Sequence, residues 1–236
     1  MRKTISRMVS VFLLVCSAFL FVGCPPDSDV EAIHKLAHEG DLKKVKEIIK
    51  KDPLQINIQD IRGFTPLQLA SGKGHVEVVE YLLEHGADTE LGNDVGYRPL
   101  SFAAKFGHYE TVRMLLERGA RVNSKDLFGN TALHNAALWS GKEVTELLIS
   151  YGAEVSGRND SNDTPLHVAA MQNNIETAKA LVEHGADIFA KNSYDLSKLD
   201  QRHKMDDKKW AETWANFLTQ DTKNRTPREI AVKAGY

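Results

Sequence analysis

"NDTPLHVAAMQNNIETAKALVEHGAD", residues 162–187, is the stretch whose reading decides the fold. Thr164 followed by Pro165 offers an N-cap hydroxyl and then a residue whose fixed φ suits the first helical position. The small pair Ala169-Ala170 lets a neighbouring helix approach closely. A second apolar segment follows, and Gly185 is suited to the left-handed position that ends a helix. The stretch reads as turn, helix, helix.

Working outward, the pattern returns upstream. "GFTPLQLASGKGHVEVVEYLLEHGAD" begins at Gly63, "GYRPLSFAAKFGHYETVRMLLERGAR" at Gly96, and "GNTALHNAALWSGKEVTELLISYGAE" at Gly129. Successive units are 33 residues apart, and the closing glycines Gly86, Gly119, Gly152 and Gly185 keep the same step. Two markers held in register over four periods define a repeat. The first helices carry Ala70-Ser71, Ala103-Ala104, Ala136-Ala137 and Ala169-Ala170. The second helices carry branched apolar residues at helical spacing, such as Val78, Val79, Leu82 and Leu83.

With T-P-L-H-x-A-A complete at 164–170, the chain resembles the ankyrin-repeat family. The resemblance implies an all-α ankyrin solenoid: helix-turn-helix units with short β-hairpin or loop tips, four clear 33-residue repeats over 60–192, and degenerate caps. Departures are local. Arg98 replaces the capping Thr, Ala132 replaces Pro, and Gln68 and Ser101 replace the signature His. Residues 31–59 have the two-helix pattern without the signature and read as an N-terminal capping repeat with a charged outer face. Residues 193–236 form the C-terminal region. There, 193–220 is either a degenerate repeat, with Trp210 and Trp214 in core slots, or an inserted helix carrying Trp210, Trp214, Phe217 and Leu218 on one face.

The N-terminus reads as an export signal. Arg2, Lys3 and Arg7 precede an uncharged run, Met8 to Gly23, that is short for a spanning helix of about 20 residues. Phe21-Val22-Gly23-Cys24 resembles the lipobox of bacterial lipoproteins. That resemblance implies a signal peptide over 1–23, acylation of Cys24, a tether over 24–30, and a protein anchored in the bacterial cell envelope on the extracytoplasmic side. Phe21 stands where the family usually has Leu and Pro25 follows the cysteine, so a plain signal peptide or an uncleaved anchor is the alternative.

Composition narrows the function. The chain has 236 residues, 42% of them hydrophobic and 26% charged, with a formal charge of -2. Loss of Arg2, Lys3 and Arg7 would make it more acidic, which argues against a nucleic-acid partner. Its two cysteines, Cys16 and Cys24, leave no disulfide framework or thiolate zinc site in the body. Of nine histidines, His134 and His167 occupy the signature position, which in this family bonds the turn backbone. His75 and His108 follow the inter-helix glycine, and His85 and His184 precede the closing glycine. His34 and His38 have the i, i+4 spacing of zinc ligands. Lys35 stands where a zinc protease needs Glu and no third ligand is evident, so both read as solvated residues. No nucleophile elbow, phosphate loop or dinucleotide turn appears, so no catalytic residue, cofactor or metal is expected.

The positions that vary between repeats carry the functional expectation. The resemblance implies partner binding at the tips and along the concave face of the first helices. Here those positions are Phe64, Tyr97, Phe106, Leu127, Phe128, Leu138, Trp139 and Met171. Aromatic residues are enriched at binding hot spots, although some could instead tuck between neighbouring tips. The sequence reads as a monomeric protein-interaction module. Its alternatives are an envelope chaperone or inhibitor of one enzyme, and an enzyme with its site in 193–236.

Overall fold

The computed structural model describes residues 29–172, 174–188 and 190. The expectations for the signal segment, for Cys24 and for 193–236 lie outside these residues. Ten α-helices are described: α1 (Asp29–Glu39), α2 (Leu42–Lys51), α3 (Pro66–Lys73), α4 (Val76–Glu84) and α5 (Pro99–Lys105), then α6 (Tyr109–Glu117), α7 (Ala132–Trp139), α8 (Lys142–Ser150), α9 (Pro165–Met171) and α10 (Ile175–Glu183). A 3-10 turn at Pro53–Asn57 follows α2. Among the described residues there is no β-strand, so the tips between units are loops.

The helices form two layers. Each of α1, α3, α5, α7 and α9 packs on its neighbours in that series, as do α2, α4, α6, α8 and α10 in theirs. The alanines explain the first layer: Ala70, Ala103, Ala104, Ala136, Ala137 and Ala169 are fully buried and leave room for the next helix. Leu82, Leu115, Leu148 and Leu181 form the ladder between the layers, one per unit and all fully buried. Burying each contributes about 1.5–3 kcal/mol. Thr65 and Gln68 close a reciprocal cap at the start of α3, Thr164 and His167 at the start of α9. Arg98 gives α5 no side-chain cap; its guanidinium donates instead to Lys125 O at 2.8 Å, in the next loop.

All four tips are built on one device that the hairpin expectation did not contain. The Oδ1 of Asp60, Asn93, Asp126 or Asn159 accepts two backbone N–H groups ahead of it, such as Arg62 and Phe64 for Asp60. These side chains act as the turn's own backbone. Successive tips are then joined by single backbone bonds: Asp94 N–H to Arg62 O, Leu127 N–H to Val95 O, and Asp160 N–H to Phe128 O, at 3.1–3.2 Å. Exposed side chains on the tips are thus held at fixed spacing.

Candidate interaction face

The signature histidine and its substitutes set the tips relative to the first helices. His134 is almost fully buried. Its Nδ1 accepts the Thr131 N–H at 3.2 Å and its Nε2–H donates to Asp163 O at 3.0 Å, so the ring is the neutral Nε2–H tautomer. Burial pushes its pKa down to about 4. Burial also lowers His167. Gln68 does the same work in the first unit, accepting from Thr65 N–H at 2.6 Å and donating to Tyr97 O at 2.6 Å. His34 corrects the solvated reading. It is buried, and its Nε2–H lies 2.8 Å from Phe64 O and 3.0 Å from Ile58 O. The reason is that α1 packs under the first tip, so His34 supplies from the capping helix the bond that a signature histidine supplies elsewhere. His38 is half-buried, and burial lowers its pKa. Among the described residues no group of three or more His, Cys, Asp or Glu forms a metal site.

The expected partner residues divide into two sets. Phe64 and Tyr97 are half-buried, and each rests against Phe102 with ring centroids 5.4 Å apart. Leu138 is also half-buried and packs on the core. Phe106, Trp139 and Met171, at the ends of α5, α7 and α9, are 52%, 58% and 58% exposed, and Phe128 is exposed at its tip. Phe106 and Trp139 stand at equivalent positions of consecutive units. The ring contact recorded for Phe106 is with His108, at 6.4 Å.

Sequence reading passed over three members of this face. Phe102 is the hub on which Phe64 and Tyr97 rest. Lys105 holds its ammonium 5.7 Å from the rings of both Tyr97 and Phe106. Ile61, at 85% exposure, is the first-unit equivalent of the exposed Leu127. Register alone could have found Ile61, since it lies two periods before Leu127.

A second feature lies at the turns between the two helices of each unit. His75 donates from Nε2 to His38 O at 2.9 Å, and His108 to Gly72 O at 3.1 Å. Each ring lies so close to a left-handed glycine of the preceding unit, Gly40 (φ +78°) or Gly74 (φ +71°), that a Cβ there would overlap it. In the fourth unit Asn174 donates to Ser140 O at 2.7 Å. The third unit has Gly141 at this position. Its turn is extended at Ser140 (φ -87°, ψ 163°), and the Ser140 hydroxyl donates to Ala104 O in place of a ring. The gap is an open depression of about 620 Å³ lined by Gly107, Tyr109, Gly141 and Leu147 among others.

Comparison with known proteins agrees with this architecture. A family model described as ankyrin repeats (3 copies) matches residues 33–126 and 122–192. The DNA-binding protein RFXANK of Homo sapiens is 45% identical over 67 residues, covering 28% of this chain and 26% of that protein. Ankyrin repeat domain-containing protein 7 of Homo sapiens is 41% identical over 58 residues, 25% of this chain and 23% of that one. The NAD-capped RNA hydrolase NUDT12 of Macaca fascicularis is 36% identical over 69 residues, 29% of this chain and 15% of that enzyme. The chain thus spans about a quarter or less of the length of these relatives.

Proposed function

The chain belongs to the ankyrin-repeat family, and from that premise we propose that it is a monomeric binding scaffold, exported and held on a bacterial membrane through a lipid on Cys24. Ankyrin repeats mark a protein-interaction module; the partner, the anchor and the location are the proposal. The observation that carries it is the line of exposed apolar side chains Phe106, Trp139 and Met171, at the ends of three successive first helices. Large exposed apolar side chains grouped on one face mark contact surfaces. A scaffold without catalysis of its own accounts for that face with the residues present. An envelope chaperone or inhibitor would be one kind of such scaffold. A catalytic reading would have to place its site in 193–236.

Two experiments test the two halves. Purifying the protein from its membrane with and without Phe106→Ala/Trp139→Ala addresses the face. A genuine partner should be lost from the variant, since hot-spot truncations cost about 2 kcal/mol or more each. The melting transition should hold, because neither side chain belongs to the buried core. A variant that melts normally and keeps its partner would end the reading of this face. For the anchor, Cys24→Ser should move the protein out of the membrane fraction. Acyl chains contribute about 0.8 kcal/mol per buried methylene, and no acyl chain attaches without the thiol. Unchanged membrane partitioning would favour the uncleaved apolar run as the anchor.

A further inference from the structure

At the turn before its second helix, each unit repeats two positions. The first holds His75, His108, Gly141 or Asn174, and two residues on stands Glu77, Glu110, Glu143 or Glu176. In the second and fourth units that glutamate is paired with a base three residues further along. Glu110 meets Arg113 at 2.7 Å and Glu176 meets Lys179 at 3.4 Å. The first and third units have Glu80 and Glu146 there instead. In the first unit the seat before the helix is filled by the His75 ring. Among the described units, only the third combines an open seat with a glutamate that no base three residues on neutralises.

The Glu143 carboxylate bends into that opening. Its Oε2 lies 2.8 Å from where a Cβ on Gly141 would sit, which is where the histidine side chains of the first two units begin. Among the described residues no cation is paired with it. Lys142 is taken by Glu146 and Glu183, each at 3.3 Å, and Arg113 by Glu110 and by Glu117 at 2.6 Å. Beside the carboxylate, the depression between α6 and α8 is lined by Val144, Leu147 and the exposed Tyr109, and no Lys or Arg lines it.

We propose that this depression takes an arginine side chain of a partner protein, with its guanidinium paired to Glu143 and its methylenes on Val144 and Leu147. A planar head is what the chain itself places in the equivalent seats, imidazole twice and a carboxamide once. A guanidinium has that shape and adds the charge that Glu143 calls for. It can also lie against the Tyr109 ring. A lysine ammonium would supply the charge without the shape. The site belongs to the second helices, whereas Phe106, Trp139 and Met171 stand at the ends of the first, so neither reading depends on the other.

The test pans a displayed library of random peptides against the detergent-solubilised full chain. Ser140→Gly/Gly141→His, whose own ring fills the seat, serves as counter-selection. Peptides held by the parent and lost by that variant should share an arginine, and they should bind Phe106→Ala/Trp139→Ala unchanged. Replacing the arginine with lysine should weaken binding about three- to tenfold, because the flat fork is lost. Glu143→Gln, which leaves the seat open, should weaken it about as much, three- to tenfold, at low ionic strength, and added salt should shrink the difference. At an exposed position this variant should melt with the parent, which separates a lost contact from a lost fold. Selected peptides without arginine, or lysine versions that bind equally well, would overturn the guanidinium assignment. If no peptide distinguishes the parent from the filled variant, or Glu143→Gln binds the selected peptides like the parent, the site itself fails.

Discussion

Gln68 and His134 hold equivalent positions and bond equivalent groups, a capping threonine N–H on one side and a carbonyl 29 residues ahead on the other. They differ in that imidazole can take a proton. Burial keeps His134 neutral, with a pKa of about 4 against an ordinary 6.5. A depressed histidine contributes stability that is fully present above the unfolded pKa and is lost as pH falls from about 6.5 through about 4. Between pH 7 and 4.5 that loss is roughly 2–3 kcal/mol. His167 and His38, also lowered, add to it in the same direction. His134→Gln, following the precedent of Gln68, should keep the bonds and remove this share of the acid sensitivity. Urea unfolding of parent and variant at the two pH values would show it; equal losses in both would refute the assignment. The sequence showed this histidine's role through its place in T-A-L-H, the third unit's form of T-P-L-H. It did not show that His34 plays a parallel role, because that bond reaches from a helix without the signature to a tip 30 residues away.

Between helices, the same limit separates what could be read from what could not. Turn, helix, helix and the closing glycine are local patterns, and each stood in the sequence. The bonds of His75 and His108 run 37 and 36 residues back into the preceding unit, so their absence at Gly141 carried no visible cost until the turns were seen side by side. Restoring the pattern with Ser140→Gly/Gly141→His would exchange the Ser140–Ala104 bond for a ring packed on Gly107, whose φ of +74° matches Gly40 and Gly74. One buried hydrogen bond replaces another, so the expected gain of about 1 kcal/mol comes from the apolar surface the ring covers. A higher urea midpoint with an unchanged slope would bear this out. A lower midpoint would mean that the extended turn is itself the better solution for this unit.

At the scale of the whole molecule, periodicity gave the architecture while leaving its surface chemistry unread. Of the aromatics expected on the contact face, Phe106 and Trp139 are exposed, whereas Phe64 and Tyr97 rest against Phe102. Residue type alone cannot tell a ring on a surface from a ring against its neighbour. In a stack where each unit touches only the next, stability adds up along the line, and strength under load is set by the weakest joint. Among the described joints, the one between the second and third units is bridged at this turn by the short Ser140 hydroxyl, where the others have a histidine or an asparagine. Pulled by its two ends, the protein should therefore part there first, releasing the third and fourth units together as one block. Single-molecule stretching should show that large first step in the parent and smaller, one-unit steps in Ser140→Gly/Gly141→His. One-unit steps in the parent would show that the joint bears load like the others. A stack of repeats under load is a spring, and Gly141 sets where this one gives.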